Sequence, residues 1–249
     1  MSIKLDDITI ILPTRNEEHN IGSFLSTIPS SVMLVVVDAS EDSTPDLITT
    51  LRPNRTIVLQ HPGSVTEARQ LGAEAAETPW LLFTDADIVF SHDFFDLLPK
   101  YHGYELIYGP KLSADYFPLY YQWFARGQQV LHSLGIPVAS GSNLLISRHV
   151  LMALGGFDLR LVCNEDSEIA WRAKRSGYAT AFAPDLVVYA RDHRRLQLGR
   201  IRKTLHSITR CALLYLNLMP NRWRGHDWGY WSQYPANNYW RKASKNGTR

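Results

Sequence analysis

WLLFTDADIVF (Trp80 to Phe90) sets two carboxylates, Asp85 and Asp87, one residue apart inside an apolar, β-favouring run. A charge withdrawn from water must be paired or bound to a cation. The stretch therefore reads as a buried strand that ends where its acids begin. Two chemistries account for such a pair: a divalent metal carrying a phosphate-bearing substrate, or a carboxylate nucleophile in phosphoryl transfer.

Upstream, the chain alternates strands with helices, the pattern of a mostly parallel sheet covered on both faces. ITIILPT (Ile8 to Thr14) reads as a first buried strand, with Asn16 as cap of a helix through NEEHNIGSFLSTI. VMLVVVD (Val32 to Asp38) is continuously apolar, as a strand buried on both faces requires. Pro45 then suits a first helical turn capped by Ser43 or Thr44. TIVLQ gives a third strand, and Ser64-Val-Thr-Glu67 matches a capping box opening a helix to about Glu77. In open α/β sheets ligands bind beyond the carboxyl ends of the strands. Asn16, Asp38, Asp85 and Asp87 all stand at such ends and converge if the strands are neighbours. Taken singly, each has a plain structural explanation: a cap, a turn, a loop start.

The 249 residues, 45% hydrophobic, suffice for one large domain or a domain with a tail. No apolar run approaches the roughly 18 to 20 residues of a membrane-spanning helix. Cys163 and Cys211 have no metal-site or disulfide-framework spacing, and MSIKLDDITI lacks the order of a secretory signal, so a cytoplasmic setting is expected. The overall charge of +2 hides an asymmetry: residues 1–190 carry 13 Lys+Arg against 22 Asp+Glu, residues 191–249 carry 13 against 2. The balance is −9, then +11. There is no internal repeat. The acidic majority of the chain, without a recognition motif, argues against nucleic-acid binding.

From about Ile8 to Tyr189 the chain resembles the family 2 glycosyltransferases. ILPTRNEE resembles the family's opening strand and turn. VVVDASEDST resembles its second strand, with Ala39 and Ser43 where glycines are usual. PGSVTEARQLGAEAAETPWLLFTDAD resembles the run into the metal motif, with Arg69 and Gly72 matching and Gln70 replacing an asparagine. GSNLLISRHVLMALGGFDLRLVCNEDSEIAWRAKRSGY resembles the acceptor half and its Glu-Asp motif at Glu165 and Asp166.

The resemblance implies an α/β fold: a single Rossmann-like nucleotide-sugar transferase domain with a mixed, mostly parallel sheet, followed by a basic amphipathic helical tail. The catalytic domain spans 1–192, with a nucleotide-binding half at 1–90 and an acceptor half at 91–192. It implies Mn2+ or Mg2+ as the Lewis acid for the diphosphate leaving group. Asp87 would bind the metal, and Asp85 the ribose or a metal-bound water. Thr14, Asn16, Glu17, Asp38 and Arg69 would surround the nucleoside, with Asp38 accepting from a uracil N–H. Gly141, Ser142 and Asn143 would line the acceptor site beside Glu165. Asp166 would act as general base on the acceptor hydroxyl, with inversion in a single displacement. Glu165 and Glu168 equally suit the N-terminal dipole of their helix. In ARDHRR, His193 resembles a further metal ligand and Arg194 or Arg195 a diphosphate partner; a surface histidine in a basic run is the alternative. Family members that synthesise polysaccharides carry Gln-x-x-Arg-Trp. Here Met219-Pro-Asn-Arg222-Trp223 lacks the glutamine, so transfer of a single sugar, from a UDP donor by resemblance, is expected.

Two rivals remain in view. LLFTDADIV also fits the signature of haloacid-dehalogenase-type phosphatases with Asp85 as nucleophile, but it arrives after three strands and no Gly-Asp pair follows. A non-catalytic nucleotide-sugar-binding protein is the other, against which the retention of Asp85, Asp87 and Asp166 argues.

The extension 193–249 carries its own signal. Leu198, Ile201, Leu205, Ile208, Ala212 and Leu216 recur at helical spacing beside Arg200, Arg202, Lys203 and Arg210, and Trp223, Trp228, Tyr230, Trp231, Tyr234, Tyr239 and Trp240 follow. Basic amphipathic helices with nearby tryptophan suit an anionic membrane surface. Segment 196–249 is thus a candidate peripheral anchor at the inner face of the membrane, or a helix packed on the catalytic domain. YFPLYYQWFARGQQVLHSLG (Tyr116 to Gly135) is also aromatic-rich, which suits sugar stacking or a lipid interface and favours a lipid-linked or membrane-presented acceptor.

Overall fold

The computed structural model describes residues 3–226 except Ala114 and Leu198, and leaves out the side chains of Arg194, Arg195 and Arg200. Trp228, Tyr230, Trp231, Tyr234, Tyr239 and Trp240 lie outside the described residues.

The continuous apolar runs become strands because successive side chains point to opposite faces and both faces are covered. In β1 (Ile8–Thr14) Ile8, Ile10 and Leu12 join one core cluster and Ile11 the other. Helix α1 (Ile21–Leu25), β2 (Met33–Asp38), α2 (Thr44–Leu51), β3 (Thr56–Gln60), α3 (Val65–Ala75) and β4 (Trp80–Phe83) follow in order. β1, β2, β3 and β4 pair in parallel, with Thr14 beside Asp38. α1 and α2 cover one face through Ile21, Phe24 and Ile48, while α3 covers the other through Ala68 and Ala73. Gly72 lets α3 approach closely: a Cβ there would stand 2.5 Å from Ile11 Cγ2. The Ser64–Glu67 capping box forms as the sequence predicts.

The decisive stretch does not continue as one strand. β4 ends at Phe83, the carboxylates occupy a turn, and β5 (Ile88–Phe90) leaves for a second sheet. Beyond it come α4 (Phe94–Leu97), β6 (Leu106–Tyr108), β7 (Lys111–Leu112), α5 (Pro118–Ser133), β8 (Leu144–Ser147) and α6 (Arg148–Ala153). Then follow α7 (Glu165–Arg175), β9 (Thr180–Phe182), β10 (Val188–Ala190), α8 (Arg194–Gln197), α9 (Arg200–Tyr215) and α10 (Asn221–Arg224). The main sheet runs β3-β2-β1-β4-β8-β6-β9, with β8 antiparallel to both neighbours. The small sheet runs β5-β10-β7 and places Lys111 near the acidic turn. No helix of the described residues is long and apolar enough to cross a membrane.

One local expectation changes. Asn16 does not cap a helix, since α1 begins at Ile21 and Asn16 sits in the left-handed region at φ 57°. Its main-chain N–H donates to Ser40 Oγ at 2.8 Å and its Oδ1 accepts from the Glu41 N–H at 2.8 Å. Residues 15–18 are thereby tied to the loop after β2, where Asp42 and Thr44 take the Glu18 and Glu17 N–H groups.

Candidate active site

The parallel order β2-β1-β4 makes neighbours of the three strand ends that carry Asp38, Thr14 and the acidic turn. Asp38 is fully buried and accepts four hydrogen bonds, from Thr14 Oγ1, Ser40 Oγ, the Ser40 N–H and Gln60 Nε2, at 2.6 to 3.1 Å. That fills the acceptor capacity of a carboxylate. Asp38 here organises the loop, and accepting from a base would require Ser40 or Gln60 to turn away.

Arg69, on α3, is buried at the centre of the site. Its Nη2 donates to Asp85 Oδ1 at 2.8 Å and its Nη1 to Glu165. Burial opposes its charge, but Glu165, Asp85 and Asp166 outweigh that and hold the guanidinium above its usual value. Gly141 leaves it room: a Cβ would lie 2.4 Å from the guanidinium. Ser142 Oγ donates to Asp85 Oδ2 and accepts from Lys111 Nζ at 3.2 Å. Thr84 Oγ1 fixes the Ser142 carbonyl at 3.0 Å. Asn143 points elsewhere: its Nδ2 donates to the Leu186 carbonyl at 2.7 Å and braces the loop before β10.

Asp166 stands in the first turn of α7, partly exposed, with Oδ2 accepting the Gly141 N–H at 2.6 Å and Oδ1 its neighbour Ser167's N–H at 2.6 Å. Desolvation and the adjacent Glu165 carboxylate push it up to about 7, against the pull of Arg69 and the two N–H groups. A carboxylate poised near neutrality and open on one side is suited to take a proton from a bound hydroxyl.

Asp87 lies at the other end of the turn, its Oδ2 3.8 Å from Lys111 Nζ. Among the described residues no three His, Cys, Asp or Glu side chains form a metal cluster. Buried His193 spends both ring nitrogens within the protein, Nε2 on Asp115 Oδ1 at 3.0 Å and Nδ1 on the Tyr121 hydroxyl at 3.2 Å. The carboxylate turn offers oxygen donors of the kind a hard cation takes. Arg194 opens α8, and its side chain lies outside the described residues. Lys111 and Asp115 escape a reading of the sequence because a two-residue strand and a loop carry no periodic signal.

A Rossmann-like sheet with an acidic turn beyond β4 and an acidic helix start facing it defines the class of nucleotide-sugar transferases of GT-A fold. The profile described as "Glycosyltransferase like family 2" matches residues 6–206, and the chain belongs to that family. It is 27% identical over 117 residues to a dolichyl-phosphate hexose transferase of Haloferax volcanii, the match covering 43% of this chain and 49% of that protein. The chain thus spans about half the length of that relative. An uncharacterised glycosyltransferase of Mycobacterium tuberculosis is 30% identical over 168 residues, 62% of this chain and 74% of its own. Among solved structures, a mannosyltransferase from Pyrobaculum calidifontis in complex with GDP-Man and Mn2+ superposes with TM-score 0.66 at 20% identity, covering 88% of this chain and 72% of that one. S. aureus TarS 1–349 with UDP-GlcNAc gives TM-score 0.60 at 16% identity, over 89% and 73%.

Proposed function

We propose that this glycosyltransferase moves one sugar, with inversion, from a nucleotide-diphosphate donor to a hydroxyl of a lipid-linked or membrane-presented acceptor. The observation that carries the reading is Asp166: a raised, partly open carboxylate joined through Glu165 and Arg69 to Asp85 of the acidic turn. The nucleotide-binding half is residues 1–90 and the acceptor half 91–192. UDP is preferred over GDP on the strength of the motif resemblance around β1 and β2. The lipid acceptor is supported by the relative named for a dolichyl-phosphate and by the aromatic and basic segments, which suit the anionic surface of a membrane.

Within this reading Asp166 Oδ accepts the proton of the acceptor hydroxyl as its oxygen attacks the anomeric carbon. Arg69 orients Asp85 and compensates the Glu165 charge, so the donor side keeps its geometry during attack. Lys111 and Ser142 hold the opposite side of the turn. Asp87, with Asp85 in support, would hold Mn2+ or Mg2+, which would supply Lewis-acid neutralisation of the leaving diphosphate. His193 joins that set only if its ring gives up Asp115 or Tyr121.

Transfer is tested with a panel of UDP- and GDP-sugars and polyprenyl-phosphate acceptors in Mn2+. Asp87→Asn should lose metal-dependent turnover with the fold intact, and Asp166→Asn should keep donor binding while losing transfer by roughly 100-fold or more. Undiminished transfer by Asp166→Asn would remove it from the base role.

A further inference from the structure

Helix α9 packs on the domain with its polar side. Arg210 is buried, donating to the Trp223 and His226 carbonyls at 2.5 and 2.8 Å. Tyr215 stacks on Trp171 at 4.7 Å, and its hydroxyl donates to the Pro137 carbonyl at 2.6 Å. The apolar stripe faces the other way: Ile201, Leu205, Ile208 and Leu216 are 77%, 60%, 61% and 67% exposed. A helix of a water-soluble surface buries that stripe instead.

Helix α5 repeats the arrangement. Leu119, Trp123 and Val130, with Leu134 just past its end, are 69%, 68%, 58% and 69% exposed, and the Arg126 guanidinium lies 5.5 Å from the Trp123 ring centre. The α5 stripe is spaced i, i+4, i+11, i+15 and the α9 stripe i, i+4, i+7, i+15, each on one side of its helix. Tyr120 of α5 meets Thr204 of α9 at 3.0 Å near both N-termini, and Tyr215 reaches Pro137 near both C-terminal ends, so the helices run in the same direction. At about 100° per residue, Tyr120 lies on one flank of its stripe and Thr204 on the opposite flank of its own. In parallel neighbours that geometry turns both stripes to the same side.

We propose that the joint outer face of α5 and α9 is a docking surface for an anionic lipid bilayer. The inference rests on the membrane-presented acceptor above and gives it a place. Exposed apolar surface of this extent marks an interaction site. Charge selects the occupant: residues 191–249 hold 13 basic and 2 acidic side chains, which repel a second copy and attract anionic headgroups. A tryptophan stacked with an arginine suits the headgroup layer. The inner side of α9 also covers the start of α7, where the Tyr215 hydroxyl lies 3.4 Å from the Ser167 carbonyl, one residue beyond Asp166. Helix α9 thus lies between the docked face and the helix that carries the base.

The test is vesicle flotation of the full chain, with phosphatidylcholine alone and with phosphatidylglycerol added. The wild-type protein should float with the anionic vesicles, and Trp123→Glu and Ile208→Glu should each weaken partitioning by roughly tenfold or more. Leu51→Glu, equally exposed on α2, should leave it unchanged, and the neutral Leu205→Ser should weaken it in a chain of unaltered melting temperature. Failure of the wild-type protein to float, or equal flotation of all variants, would overturn the proposal. So would a lipid-free dimer dissociated by the same substitutions. Nucleotide titration of each variant keeps this failure separate from failure of the transferase reading.

Discussion

At the scale of single residues, Asp166 has the sharpest consequence. A base must be deprotonated to act, and its carboxyl is pushed up to about 7 by desolvation and Glu165. Transfer per encounter should therefore plateau above that pH and fall about tenfold per unit below it. The pH profile of kcat/KM reads this directly, and a profile flat to the usual carboxylate range would contradict it. Asp85 and Asp87 stood out in the sequence because acids at the end of an apolar strand need a reason, and Asp166 through the motif resemblance. The pairing of Arg69 with Asp85 and Glu165 was not legible there. Arg69 and Glu165 stand 96 positions apart, and only the folding of α3 against α7 brings them together. The loop-organising bonds of Asp38 were not legible either, since its four donors come from three segments.

At the scale of elements, β1, β2 and β3 were legible almost to the residue, because continuous apolar runs ended by proline or acids leave few alternatives. The capping box of α3 was equally plain, being a local contact between Ser64 and Glu67. The pairing of the small sheet was not, since strands of two and three residues carry too little pattern to set a register. α1 begins later than expected because the Asn16 side chain serves the loop after β2 in place of a helix start. The fit of α3 on the sheet yields a prediction. Gly72→Ala gains about 1 kcal/mol of helix propensity but drives a methyl into Ile11, a branched and buried side chain. Net destabilisation of about 1 to 2 kcal/mol should appear in thermal or urea unfolding, and a stabilised variant would show that the helix can lift without cost.

At the scale of the whole molecule, the acidic first 190 residues house the site and the basic remainder begins with a helix whose apolar face looks outward. The sequence showed that α9 is amphipathic; which side faces the domain depends on Arg210 and Tyr215 finding partners that only the fold supplies. The whole arrangement stands or falls on a donor site at the ends of β1, β2 and β4. Calorimetric titration of the protein with UDP and with GDP, each with Mn2+ and with excess chelator, tests that most directly. The account predicts metal-dependent binding, on the order of micromolar, of one nucleotide, UDP in preference. No binding of either nucleotide in the presence of metal would contradict it.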